Sequence, residues 1–364
     1  MRLLCVNLNY IGDALFTTAA LGLLKGRLPE ARIDVLAGKR AAAILEGNPS
    51  IERLILRPPH GGSGRALALA QTLRSGKYDA VVLFQSTLAN AFLAWRARVP
   101  VRVGFAREGC GPMLTHVVPS RYPAEHDVDA YLRVANAAVR RDGTANPVDP
   151  RAYRLSIALS PDDAAFAESF FRAHEVSPPV VGLVIGTTRP QKRWPEEYFA
   201  RLADKLWNVA KVSCVLLGGP EEAEVAQRIL SLTRGAPVVS AIGKTTEKQL
   251  AGVIARLSVV VSGDSGPLHV ATAMTVPTVG LFGSTDPADT GPWTPTVGGA
   301  PSTVLYDALF CAPCRKNPTC NGRFDCMRGL TPDRVFDAVA ALIDLPDRRL
   351  SLPMAAPIFV GGDR

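Results

Sequence analysis

Two rhythms of apolar residues alternate along most of this chain. Short, nearly continuous runs of Val, Ile, Leu and other apolar residues occupy 3–8, 32–37, 51–56, 80–84 and 101–105, and recur at 180–185, 212–217, 259–263 and 278–282. Between them lie longer stretches with apolar residues three and four apart, at 11–28, 65–74, 126–140, 161–174, 196–209 and 221–232. The short runs predict strands buried on both faces, and the longer ones predict amphipathic helices. In the stretch 11–28 the apolar positions are Leu15, Ala19, Leu21, Leu24 and Leu28, and Pro29 ends it. Strand, helix and strand in succession predict right-handed crossovers and parallel sheets.

The rhythm breaks at 142–150, which turns to Gly, Asn, Asp and Pro, and again at Ser177-Pro178-Pro179. With 364 residues, more than one ordinary core holds, the chain is expected to be α/β with two consecutive domains, residues 1–160 and 161–345, each on a parallel sheet. Residues 346–364 lack periodicity, are rich in Arg and Pro, and are expected to form a poorly ordered tail. The run Pro58-Pro59-His60-Gly61-Gly62-Ser63-Gly64 reads as a loop.

Composition narrows the class. A chain 47% hydrophobic and 20% charged is that of a soluble globular protein, and no stretch approaches the ~20 apolar residues of a membrane helix. Asn7, Asn9 and Asp13 interrupt the apolar start at Met1-Arg2-Leu3-Leu4-Cys5-Val6, so no export signal is expected. Seven cysteines without an export signal point to a reducing, cytoplasmic setting with free or metal-bound thiols. The net charge of +8 suits an acidic partner such as a nucleotide or an anionic lipid. Nucleic acid is not expected, because no basic run is interleaved with aromatics and no helix-turn-helix or zinc-finger spacing is present.

The candidate chemistry gathers where strands run into helices. Residues 259–283 read as strand, tight turn, helix, strand, with Gly263, Asp264, Ser265, Gly266 and Pro267 opening the helix. Such a turn offers backbone N–H groups and the positive helix dipole to an anion, so a phosphate-bearing ligand is expected there. Within it, Asp264 is either a ligand contact or an N-cap, and His269 either a contact or a packed helix residue. Asp13, where the first strand meets the first helix, is either a dipole-complementing acid or a general base facing a cleft. Thr187, Thr188 and Lys192 follow the first strand of the second half, where hydroxyls and an ammonium hold a diphosphate if the loop is not merely solvated. Cys311, Cys314, Cys320 and Cys326 have the spacing C-x2-C-x5-C-x5-C; four such thiols are either a zinc or iron site or simply reduced or paired.

Two tempting motifs fail. Gly243-Lys244-Thr245 resembles the end of a phosphate loop, but Val238 stands where that motif needs its first glycine. Asp127-Val128-Asp129 opens a periodic helix with no strand before it, so capping is its expected role.

Taken together, five segments resemble the ADP-heptose:lipopolysaccharide heptosyltransferases of glycosyltransferase family 9. They are Ile11-Gly12-Asp13-Ala14-Leu15, Lys192-Arg193-Trp194-Pro195, Gly263-Asp264-Ser265-Gly266-Pro267-Leu268-His269, Phe282-Gly283-Ser284-Thr285-Asp286-Pro287 and the cysteine segment ending Cys326-Met327. The resemblance covers most of the chain and implies the GT-B fold, two Rossmann-like parallel-sheet domains facing across a cleft. It implies an inverting transfer of heptose from ADP-heptose to the acidic inner core of lipopolysaccharide, with no cofactor required for catalysis. Asp13 would be the base; Thr187, Thr188, Lys192, Asp264, Ser265, Gly266 and His269 would hold the ADP-sugar. Glu222 would lie near the nucleoside, with Glu221 the alternative. Arg57, Arg65, Arg107 and Arg121 are grouped as basic residues that would meet the acceptor, and the net charge suits a peripheral place on an anionic membrane face. The competing expectations are a different acceptor, protein or glycan, on the same fold, and a non-catalytic nucleotide-sugar binder.

Overall fold

A computed structural model describes residues 1–7, 10–58, 63–119, 122, 125–139, 147–187 and 189–343. Thr188, Arg121 and the 346–364 tail therefore lie outside the described residues, as does most of the 58–64 loop.

The apolar runs form two six-stranded sheets. The first contains β1 (Arg2–Asn7), β2 (Arg32–Ala37), β3 (Arg53–Leu56), β4 (Ala80–Leu83), β5 (Val101–Phe105) and β6 (His116–Val118), in the order β3-β2-β1-β4-β5-β6. The second contains β7 (Val180–Val184), β8 (Ser213–Leu217), β9 (Val238–Ser240), β10 (Val259–Gly263), β11 (Thr278–Phe282) and β12 (Ser302–Tyr306), in the order β12-β11-β10-β7-β8-β9. Every pairing is parallel, Cys5 opposing Val35 and Val82, and Val261 opposing Leu183 and Val279. Numbered from its own first strand, each sheet has the order 3-2-1-4-5-6 of the Rossmann fold. The crevice where that order reverses, beyond the carboxyl ends of β1 and β4 and of β7 and β10, is where such sheets bind ligands.

The predicted helices form at Ile11–Arg27, Ser63–Ser75, Asp127–Val139, Pro161–Ala173 and Glu196–Ala210. The 221–232 segment divides, because Pro220 opens a single tight turn, Pro220–Glu222, before the helix Ala223–Leu232 begins. Short helices such as Lys39–Leu45 and Leu88–Arg96 escape the periodicity reading, since a helix of about two turns presents too few periodic positions.

Packing binds the halves together. The helix Ile11–Arg27 meets Gly266–Ala273, and Lys39–Leu45 meets Glu247–Ile254. Ala14, Leu15 and Phe16 share one buried core with Val270 and Ala271. Close approach is possible because the facing residues are glycines: a Cβ on Gly12 would lie 3.0 Å from the His269 ring, and one on Gly266 would lie 3.2 Å from Cβ of Ile11. Farther out, Trp293 donates to the Tyr153 carbonyl at 2.8 Å, and the Arg151 guanidinium lies 4.0 Å above its ring. Among the described residues no helix is long and apolar enough to cross a membrane.

Candidate active site

The first half contributes a carboxylate. Asp13 sits in the first turn of the Ile11–Arg27 helix, where the peptide dipoles favour an acid, yet its side chain turns to partners from two other elements. Gln85, just after β4, donates from Nε2 to Oδ2 at 2.9 Å, and Tyr131 of the Asp127–Val139 helix donates its hydroxyl to Oδ1 at 3.2 Å. Burial foremost, then the nearby Asp127 charge, push the carboxyl up from 3.8 to about 6, against the pull of these two hydrogen bonds. Beneath it, Asn7 donates to the Asp13 carbonyl at 2.7 Å, tying the turn to β1. Asp13, Gln85, Thr87, Arg107, Asp127 and Tyr131 line one open depression. A group half-hidden from water, ionising near neutrality and facing open space, is suited to take a proton from a bound hydroxyl.

The second half contributes a cation and a glycine-bordered turn at a helix start. Lys192 closes the tight turn Pro190–Lys192 beyond β7, and its ammonium reaches Oδ2 of Asp264 at 2.5 Å. Both side chains are largely buried, at 15% and 9% exposure. Burial would raise the Asp264 carboxyl, but the Lys192 charge and hydrogen bond outweigh it and hold it below its ordinary value. An ammonium carries three donors; a second one goes to the Asp264 carbonyl at 3.4 Å, which leaves one for a phosphate. Ser265, not Asp264, occupies the N-cap position of Gly266–Ala273 and makes no capping bond with its side chain; Leu268 N–H bonds back to the Ser265 carbonyl at 3.1 Å and Pro267 has no N–H, so the Gly266 N–H is the donor this helix start can offer.

His269 is buried against the other half, its ring 4.6 Å from that of Phe16. Burial pushes its pKa down to about 4, so it is neutral at pH 7. Its Nδ1 and the Ser284 hydroxyl are buried without a partner. Thr187 spends its hydroxyl within its own loop, accepting from Arg189 N–H at 3.2 Å. Glu222 accepts from Gly219 N–H at 2.8 Å and packs so tightly on Gly186 that a Cβ there would fall 2.5 Å from its carboxyl carbon. Glu221 points outward and is exposed.

The structure therefore brings Asp13 into one depression and Lys192, Asp264, Ser265 and Gly266 onto one turn, with the two helix starts in contact through Gly12, His269, Ile11 and Gly266. Of the basic group, Arg107 faces Asp13's depression, stacked 4.8 Å above Phe105. Arg57 is spent on Asn90, at 2.9 Å, and the side chains of Arg65 and Arg121 lie outside the described residues. Sequence reasoning missed Gln85 and Tyr131, and read Asp127 as a cap alone; only the strand order places the residue after β4 beside the residue after β1.

Of the two alternatives for the cysteine segment, the zinc or iron site finds no support. Among the described residues no group of three or more His, Cys, Asp or Glu is placed to hold a metal ion. Cys311, Cys314, Cys320 and Cys326 are free thiols around one pocket, and burial pushes Cys326 up to about 11.

Two Rossmann-like sheets, a raised-pKa carboxylate at the edge of one and a lysine-supported anion turn at the edge of the other, define a GT-B glycosyltransferase. The sequence model of "Glycosyltransferase family 9 (heptosyltransferase)" matches residues 66–323, and the chain belongs to that family. It is 25% identical over 356 residues to lipopolysaccharide heptosyltransferase 2 of Salmonella typhimurium, covering 94% of this chain and 99% of the relative. Among solved structures, a family 9 glycosyl transferase from Veillonella parvula superposes with TM-score 0.79 at 25% identity, over 94% of this chain and 96% of the other. The E. coli ADP-heptose lipopolysaccharide heptosyltransferase II superposes with TM-score 0.75 at 23% identity, over 94% and 98%, a likeness of fold.

Proposed function

We propose that this chain moves heptose from ADP-heptose to the inner core of lipopolysaccharide in a single inverting displacement. An acceptor hydroxyl in the Asp13 depression attacks the anomeric carbon, and its proton passes to the Asp13 carboxylate. The bond from that carbon to the diphosphate oxygen breaks, and ADP leaves with the electron pair. Lys192 and the Gly266 N–H, with the positive end of the Gly266–Ala273 helix, meet the charge that grows on the diphosphate, which supports a reaction without a metal. Glu222 is proposed to meet the nucleoside, Ser265 and Thr187 with Thr188 the phosphates, and His269 to support the turn from within its helix. The domains are proposed to divide at residue 160, with donor binding by 161–345 and acceptor binding by 1–160.

The observation that carries this reading is the Asp13 carboxylate, pushed up to about 6 while facing open space. ADP-heptose as donor and lipopolysaccharide as acceptor are supported by the names of the relatives, and the enzyme is proposed to work in the cytoplasm, at the inner membrane face. The test is ADP release from ADP-heptose with a lipid-anchored core acceptor. Replacing Asp13 with Asn or Ala is expected to lower turnover by about 10²–10⁴-fold, the usual contribution of a general base; wild-type turnover in both variants removes Asp13 as the base. Thermal stabilisation by ADP-heptose without any ADP release or transfer would instead make the chain a nucleotide-sugar binder.

A further inference from the structure

The helix Leu88–Arg96 is apolar on its outer face as well as its inner one. Asn90, Ala91, Leu93 and Ala94 face inward, while Leu88, Phe92 and Trp95 stand 46%, 47% and 51% exposed. Positions i, i+4 and i+7 share one face of a helix, so the three form a single stripe, with the Phe92 and Trp95 rings 5.7 Å apart. The neighbouring helix Ser63–Ser75 adds Leu67 at 43% exposure. Apolar side chains so grouped mark an interaction surface rather than scattered surface residues.

Charge identifies the partner. Between Arg57 and Arg107 the chain carries eight Arg and Lys residues against one acid, Asp79, and Asp79 is engaged by the Arg2 N–H at 2.7 Å. Arg74, Lys77, Arg96 and Arg98 of this region are exposed. An aromatic and leucine face edged by cations is the pattern of a helix lying in the headgroup layer of an anionic bilayer. The stripe also begins at the reaction depression. Thr87, which caps the helix by accepting from Asn90 N–H at 3.2 Å, lines that depression, as does Gln85, the Asp13 partner.

We propose that the outer face of Leu88–Arg96 docks on an anionic lipid surface and holds the mouth of the Asp13 depression against it. Leu88, Phe92 and Trp95 enter the headgroup layer, and Arg74, Lys77, Arg96 and Arg98 meet lipid phosphates. The acceptor end of the proposal rests on the transfer reaction above, but the docking itself needs neither donor nor acceptor.

The test uses the full chain with vesicles of phosphatidylcholine containing phosphatidylglycerol, against vesicles of phosphatidylcholine alone. Co-sedimentation with the anionic vesicles is expected, weakening as salt rises, together with a blue shift of tryptophan emission that disappears in Trp95→Phe. Leu88→Ser with Phe92→Ser is expected to weaken partitioning at least about tenfold, given the apolar area removed. Lys77→Glu with Arg96→Glu is expected to abolish the preference for anionic lipid. Neither pair should alter ADP release with a delipidated, soluble acceptor. Failure of the wild type to bind either vesicle, equal binding by wild type and the Ser pair, or a dimer in sedimentation velocity that the Ser pair dissociates would overturn the proposal, the last assigning the face to a second copy. Because vesicle binding is read without the reaction, its failure leaves the transfer reading intact.

Discussion

Asp13→Asn tests the site twice, since a general base that is costly to ionise should be missed by the reaction and not by the fold. Raising a carboxyl from 3.8 to about 6 is a penalty of about 3 kcal/mol on the ionised folded form, at ~1.4 kcal/mol per unit. The unfolded chain ionises Asp13 above about 3.8, and the folded chain only above about 6. The unfolded state thus binds fewer protons between these values, and stability falls as pH rises through that window. The isosteric amide removes the penalty, and Gln85 can turn its own amide to suit it. Denaturant unfolding at pH 7.5 is therefore expected to show Asp13→Asn more stable than wild type by up to about 3 kcal/mol, the gain vanishing near pH 4, while turnover falls about 10²–10⁴-fold. His269 opposes this trend in the wild type: its pKa is pushed down to about 4, so its contribution to stability rises with pH between 4 and about 6.5. A variant that loses both activity and stability at pH 7.5 would refute the reasoning, because it would make Asp13 a helix-start residue whose dipole interaction outweighs its burial.

Tyr131→Phe withdraws a donor from the ionised carboxylate, and Asp127→Asn withdraws a like charge. The acid limb of the kcat/KM profile, near pH 6 in wild type, should move up in the first and down in the second, and coincident profiles would separate both residues from the base. Lys192→Met strands the buried Asp264 carboxylate, which is expected to cost about 3–5 kcal/mol in unfolding and to raise KM for the donor; restoration of stability, but not of KM, by adding Asp264→Leu would support the ion pair's double role. Gly186→Ala drives a methyl to within 2.5 Å of the Glu222 carboxyl carbon and is expected to cost about 1–3 kcal/mol. The loss should disappear when Glu222→Ala is added, and nucleotide affinity measured calorimetrically should remain low in the pair.

Much of this molecule is legible in its sequence because parallel strands buried on both faces read as uninterrupted apolar runs. Residues 259–283 show the strand, the glycine-bordered turn, the Pro-started helix and the next strand in order, so the turn itself follows from local chemistry alone. The same holds for Asp13 at its strand-to-helix junction and for Lys192 after β7. Local pattern fails where function depends on residues distant in sequence. Gln85 and Tyr131 lie 72 and 118 positions from Asp13, and only the reversal of strand order between β1 and β4, with the Asp127–Val139 helix packed above, brings them to its two oxygens. The cysteine spacing is a reminder of the converse, since four thiols close in sequence do not converge as ligands.

By itself, then, the sequence determined the two α/β halves, the turns that open their helices, and the residue types fitted to a base and to a diphosphate. The tertiary structure decided the protonation of those residues. Burial and the Asp127 charge lift Asp13 toward neutrality, Lys192 keeps Asp264 ionised in spite of burial, and packing against Phe16 leaves His269 neutral. A pKa is set by the solvent lost and the charges gained on folding: Asp13 meets Gln85, Tyr131 and Asp127 within the first half and Lys192 meets Asp264 within the second, while His269 is buried only where the halves meet.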